Sequence, residues 1–494
     1  MRKSKSLWIT GMLAFAMSAA WAQDTATAAA GTQDSAQQTP AAPSQDNPPP
    51  VVTDNPPLSG IDLPSLEPHA APISYIQPGA TVSESADSNV GGVVGGTSVR
   101  SVSRALGSVT MQRLWSHYDL GLDYIGGVAY YNLQGLGWKT LQQADVDQKI
   151  NWKRGQLSLR DSFSYLPEGN FGNAYGSLGS QGIESLGTTS FGSFWGGTSL
   201  GTLGLAPRIL NVSMADMTET LTSKSMLTAA GGYAFTHFYG TDYQTGGTFL
   251  SSSQVSLQFG YNRLLSPETQ IALAYGYQGF DFSVSGTAFH THVIQAMYGR
   301  RITGRMDFLV GVGPQFTHVN TVGVFGDTTE LRLGVAGRAR LRYKFPRTSL
   351  DLEYQRYLTS GSGFFAGAQT DMARLSVDRP LTRVWSAFAD LGFSRNSRQQ
   401  ALSAQALLTC NFDGTQPALP PCPGVDANTF TTGFAGIGLH RAFGRNFHGF
   451  ISYQYNELSF DHSYCGGLEV CGRISNRHVG TIGLDWTPRP IRID

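Results

Sequence analysis

From Tyr118 onward the chain repeats with a period of two. In residues 254–262 every odd position (Val255, Leu257, Phe259, Tyr261) is apolar, and every even one is polar or Gly. Ile271, Leu273, Tyr275 and Tyr277 continue the pattern, as do Leu331, Leu333, Val335, Leu341 and Tyr343 against a polar row that includes Arg332, Arg338, Arg340 and Arg342. Such alternation becomes one greasy and one wet face only in a β-strand. Runs of twelve or more residues exceed the roughly 5–6 of a soluble strand and reach the roughly 9–11 needed to cross a bilayer. A soluble sandwich must also bury one face of each sheet in a dry core, and these polar faces are too wet for that.

The connections fall into two kinds. Short turns lie near 154–155, 221–225, 265–268, 303–304, 346–347, 379–383 and 444–445, and the connections between them are longer and rich in Gly, Ser, Asp and Asn. Seven such hairpins plus two outer strands predict sixteen strands over residues 118–486, an even number with both ends on the short-turn side. Trp152, Tyr261, Trp385, Phe443, Phe447 and Trp486 stand near the short turns, and Tyr130, Tyr165, Tyr277, Phe393 and Tyr455 at the other ends. Two aromatic girdles suit the two interfaces of a membrane. The fold expected is all-β: a closed antiparallel transmembrane β-barrel.

The rest of the chain agrees. Charged residues make up 14%, with 35 Lys+Arg against 35 Asp+Glu, so the clustered positive charge that nucleic-acid binding needs is absent. Residues 1–22 read as a signal peptide, with a basic start, an apolar run and Ala20-Trp21-Ala22. Residues 23–70, rich in Pro, Ala and Thr, read as a disordered periplasmic tether. Residues 71–117 form a pre-barrel segment able to enter the lumen, and 487–494 a periplasmic tail.

Over residues 118–486 the chain resembles the porin-like outer-membrane β-barrels of diderm bacteria. The resemblance implies a bacterial outer-membrane location, with lipid, small hydrophilic solutes and the barrel-assembly machinery as partners. Self-association stays open. In that family the last strand ends on an aromatic insertion signal; here Trp486 stands in that place but is followed by eight more residues.

A sixteen-stranded barrel leaves an aqueous lumen. A tight turn at Pro346-Arg347 places Arg342 opposite Asp351 and Arg340 opposite Glu353, with Arg338 facing Gln355, a basic stripe beside an acidic one. Cross-strand pairing accounts for the stripe structurally; the functional reading is a transverse field on passing solutes. Arg332 belongs to the same wet face, and Arg374 and Asp390 form a second pair. Residues 167–208 make the longest connection, Gly-rich and apolar, and are expected to fold inward as a constriction with Phe171, Tyr175, Phe191, Phe194 and Trp195 on the wall.

Cys410, Cys422, Cys465 and Cys471 lie in the last two long connections, and an exported chain favours two local disulfides among them. His290 with His292 and His440 with His448 are better read as solvated or hydrogen-bonded than as metal ligands, so neither metal nor cofactor is expected. No H-E-x-x-H or P-loop motif occurs. The function expected is a passive channel without enzymatic turnover. The alternative is a surface-exposed adhesion barrel with a closed lumen and disulfide-stapled ligand-binding loops.

Overall fold

The computed structural model describes residues 58–59, 74–90, 98–133, 137–166, 208–239, 250–282, 287–323, 326–360, 366–399, 429–465 and 471–493, all in one compact unit. They form a single antiparallel sheet closed on itself. In chain order the strands are β1 Tyr75–Asp87, β2 Arg100–Leu114, β3 Tyr118–Tyr131, β4 Gly137–Trp152, β5 Gly155–Leu166, β6 Arg208–Thr222, β7 Ser225–Phe238, β8 Ser252–Ser266 and β9 Thr269–Phe282. They continue as β10 Thr287–Thr303, β11 Met306–Gly323, β12 Gly326–Lys344, β13 Ser349–Thr359, β14 Ala368–Pro380, β15 Trp385–Arg398, β16 Thr429–Phe443, β17 Phe447–Cys465, β18 Cys471–Trp486 and the two-residue β19 Ile491–Arg492.

Each strand pairs with the next, and the ring closes where β18 meets β1, from Ala80↔Trp486 to Asp87↔Val479. Eighteen strands thus make the wall, against the sixteen expected. The two additional ones are β1 and β2, from the stretch read as a pre-barrel segment, which is wall rather than lumen filling. Their pattern is masked because β2 turns Val102 and Leu106 inward, while Ser101, Ser103 and Ala105 face out. Arg104, Ser108 and Thr110 are also inside and Val109 outside, so β2 mixes both kinds on each face, and on β1 Val82 stands outside among Ala80, Glu84 and Ala86. The tail also joins the wall: Tyr75 and Ile76 pair with Arg492 and Ile491, and Pro78, Pro488 and Pro490 sit at the break in the ladder between β18 and β19. A proline offers no N–H to a ladder, so a break is where it costs least.

Alternation sorts the side chains. Phe259, Leu273, Val312, Leu333, Ile437, Ile451 and Ile482 are exposed on the outside, whereas Ser256, Gln258, Asn262, Gln278, Thr291 and Gln315 are buried on the inside. Trp152, Tyr261, Phe443, Phe447 and Trp486 are exposed near the short turns, and Tyr130, Trp138, Phe393 and Tyr453 toward the other end. From Phe447 to Tyr455 along β17 is about 27 Å, or about 20 Å of height at a tilt near 40°, close to the ~25 Å apolar band of such barrels.

The inner face is not uniformly wet. Val102, Leu106, Ile125, Ala129, Tyr131 and Leu141 cluster there with Val90, next to the connection that follows β1. A second inner cluster joins Phe280, Phe282, Phe289 and Val319 of β9–β11 to Leu358 and Ala366 of the β13–β14 hairpin.

Candidate functional site

That second cluster identifies the element that narrows the interior. Strand β12 begins at Gly326, yet its ladder with β13 runs only from Gly337↔Arg356 to Lys344↔Ser349. Beyond Arg356 the hairpin parts from β12, stays paired to β15 and folds over the inner face of β9–β11. Leu358, 1% exposed, seats on Phe280, Phe282, Phe289 and Val319. Gln315 of β11 donates from Nε2 to Gln369 Oε1 of β14 at 3.1 Å. Gly367, at φ 81°, brings its backbone so near the Phe289 ring that a Cβ would stand 2.8 Å from it, and only Gly accepts both conditions cheaply. The expected constriction residues Phe171, Tyr175, Phe191, Phe194 and Trp195 lie outside the described residues.

Below the hairpin, the inner wall carries charge. Arg340↔Glu353, Arg342↔Asp351 and Arg338↔Gln355 stand in register. The side chains, however, pair one rung over. Arg340 grips Asp351 with Nε at 3.0 and 3.1 Å and Nη2 at 2.6 Å, while Arg342 turns to the other neighbour and meets Asp307 of β11 at 2.8 and 3.0 Å. Arg374 meets Asp390 in the same bidentate way, at 3.0 and 2.6 Å, diagonally between β14 and β15. Twist and long guanidinium stems make the diagonal partner as reachable as the direct one. Arg332 pairs with Glu330 at 3.0 Å on its own strand. Glu353 accepts from Gln355 and stands in register with Arg374.

A strand nine places round an eighteen-strand ring lies across the lumen, so β3–β6 face the arginine wall. That side is acidic. Asp123 and Asp145 are directly opposite each other in the ladder, and Asp119, Asp147 and Asp216 share the same inner surface. Lys149 reaches Asp147 at 3.4 Å, and Arg160 bridges Asp147 and Asp216 at 3.5 Å each. Near the short turns a cavity of about 350 Å³ is bounded by Thr81, Ser108, Arg383, His440, His448 and Asp485. His440 stands in register with Phe450 rather than with His448, whose partner is Ala442.

Two further placements bear on the sequence reading. Leu58 and Ser59, within the stretch expected to be a disordered tether, are buried against the inner wall. The backbones of Cys465 and Cys471 pair directly across β17 and β18; their side chains, and Cys410 and Cys422 altogether, lie outside the description. Among the described residues no group of three metal-ligating side chains occurs.

The closed wall, its apolar outer band and its paired inner charges define a transmembrane β-barrel of the outer-membrane type. Among solved structures the chain is similar to OccK9 (OpdG) of Pseudomonas aeruginosa at 10% identity and TM-score 0.40, with 85% of this chain and 98% of that chain covered. It is also similar to OpdQ of the same organism (9%, 0.40, 85% and 99%) and to a BenF-like porin of Pseudomonas fluorescens Pf-5 (9%, 0.39, 85% and 99%). No protein-family profile and no curated protein matches the chain. With identity this low, what the barrel does is read from its own wall.

Proposed function

We propose that this barrel is a channel of the bacterial outer membrane through which small hydrophilic solutes diffuse passively. The observation that carries the reading is the inner wall, where a ladder of guanidinium–carboxylate pairs on β11–β15 faces an acidic sector on β3–β6 inside a closed cylinder. Fixed charges of both signs across a low-dielectric ring create a transverse field. A dipolar solute can align with that field, while ions of either sign find counter-charge along the path. Arg332, Arg338, Arg340, Arg342, Asp351, Glu353, Arg374 and Asp390 serve as the pore lining in this reading.

The test is reconstitution of the folded protein in planar bilayers and in liposomes loaded with sugars of graded size. Discrete conductance steps and size-limited swelling are the expected result; a folded protein that gives neither overturns the channel. A second reading, a surface barrel with a closed lumen and ligand-binding loops, is favoured by the inward hairpin and by the burial of Leu58 and Ser59. It predicts silence in the same bilayers.

Several finer points belong to the proposal. Residues 1–22 are removed on export, and the chain inserts through the barrel-assembly machinery. Cys465 with Cys471 and Cys410 with Cys422 form local disulfides, the first supported by the backbone register. No cofactor and no catalytic step are needed for passive diffusion.

A further inference from the structure

Leu58 and Ser59 lie more than 160 positions before the wall residues that hold them, and the recess reads their backbone as a receptor reads a peptide. The Ser59 N–H donates to Asn262 Oδ1 at 3.0 Å. Its carbonyl accepts from Gln258 Nε2, and from Thr228 Oγ1 at 3.4 Å. Its hydroxyl exchanges a hydrogen bond with Thr228 Oγ1 at 2.7 Å and accepts one from Asn262 Nδ2. Arg338 donates from Nη2 to the Leu58 carbonyl. The Leu58 side chain seats on Ala272, Ala274 and Met297, with Leu309 beside them.

The wall is shaped for this contact. A Cβ on Gly299 would stand 2.7 Å from Leu58 Cδ2, and one on Gly260 would run into the Ser59 side chain. Leu58 is 7% exposed and Ser59 fully buried. Every backbone group named above has a protein partner in place of water, the arrangement by which buried peptide is stabilised.

We infer that the inner wall of β7–β12 near the short turns is a peptide-binding subsite whose resident ligand is the chain's own Leu58–Ser59, so that this dipeptide is a tethered occupant of the pore. The inference deepens the channel reading by naming what the arginine wall binds. Chain length allows it: Ser59 to Ser74 spans up to about 50 Å, and an eighteen-strand ring is about 36 Å across. Charge favours it, since residues 23–57, which precede Leu58 in the sequence, carry four Asp and no Lys or Arg, and Arg338 holds the Leu58 carbonyl. A tether of this length holds its ligand at an effective concentration on the order of millimolar, enough for weak contacts to keep the recess filled. External solutes with extended amide backbones, short peptides above all, would compete for the same donors and acceptors.

The experiment pairs Ser59→Cys with Thr228→Cys in the full chain and reads oxidative cross-linking by mass spectrometry of the linked peptide. A control pairs Ser59→Cys with Thr432→Cys, on the inner wall of β16 nine strands away. Cross-linking to position 228 is expected to exceed the control by about tenfold or more, as proximity at millimolar effective concentration demands. Gly299→Val, which overfills the Leu58 seat, is expected to lower that cross-linking by about tenfold and to raise single-channel conductance. Equal cross-linking at both positions overturns the subsite. A conductance that is the same with the segment cross-linked and with it displaced overturns its role as a pore occupant. If every variant is silent in bilayers while the 59–228 link forms, the subsite stands and the channel reading fails.

Discussion

Truncating Leu358 to Ala removes the apolar anchor by which the β13–β14 hairpin holds to the inner face of β9–β11. A fully buried leucine contributes roughly 1.5–3 kcal/mol and a side-chain hydrogen bond such as Gln315 to Gln369 about 1 kcal/mol, so the lean is favoured by about 3 kcal/mol. At that preference the hairpin is away from the wall about 1% of the time. Leu→Ala at a buried seat costs about 2–5 kcal/mol; taking about 2.7 kcal/mol, the ratio moves about a hundredfold, and the hairpin is away about a third of the time. Single-channel recording should then resolve a second, larger conductance level in Leu358→Ala. Leu352→Ala, on the same strand but exposed on the outer face, should leave the trace as in the parent. One conductance level with unchanged noise in Leu358→Ala would refute the assignment of this hairpin as the constriction.

Asp390→Asn strips a 1%-exposed carboxylate from Arg374, which should cost about 2–4 kcal/mol in urea unfolding, since breaking a largely buried pair leaves its partner under-compensated. Replacing both members by apolar residues of similar volume should recover most of that loss, and an Asp390→Asn cost below about 0.5 kcal/mol would show the pair to be solvent-screened. Asp123→Asn with Asp145→Asn removes facing carboxylates from the acidic wall and should shift the reversal potential in a KCl gradient toward anions, whereas Arg340→Gln should shift it toward cations; shifts of the same sign would sink the transverse-field account. Mass spectrometry of the protein isolated without reductant should find Cys465 and Cys471 linked to each other, and free thiols at both would remove that bridge.

Much of the wall was legible from the period alone. The alternation of Ile271, Leu273, Tyr275 and Tyr277 is that of Thr269–Phe282, where these bulky residues stand outside against Ala272, Ala274, Gly276 and Gln278 inside. Strands β1 and β2 escaped because their faces are poorly sorted: β2 turns Val102 and Leu106 inward with Arg104, Ser108 and Thr110, and the outer face of β1 carries Val82 among Ala80, Glu84 and Ala86. The register around Pro346-Arg347 follows from the short turn, but the partner of each arginine does not. Arg342 faces Asp351 on one side and Asp307, its ladder partner on β11, on the other, and register alone does not say which carboxylate it takes. Leu358 reads by parity as an outer residue, and only the early departure of β13 from β12 turns it inward. Leu58 and Ser59 stand in a Pro-rich stretch of low apolar content; the information that orders them is in Thr228, Gln258, Asn262 and Arg338, all far along the chain.

The junction of the first and last strands sets the order of assembly. Ala80 and Trp486 are 406 positions apart, whereas most other neighbours in the wall are joined by a local hairpin. Bringing two ends together over that much chain costs about 5 kcal/mol in loop entropy, so this contact forms only after the intervening hairpins have shortened the path. Until then the nascent sheet presents two unsatisfied edges to any neighbour. A substitution that weakens this junction should therefore reveal itself first as stalled, sticky intermediates during biogenesis, and only later as a less stable mature protein.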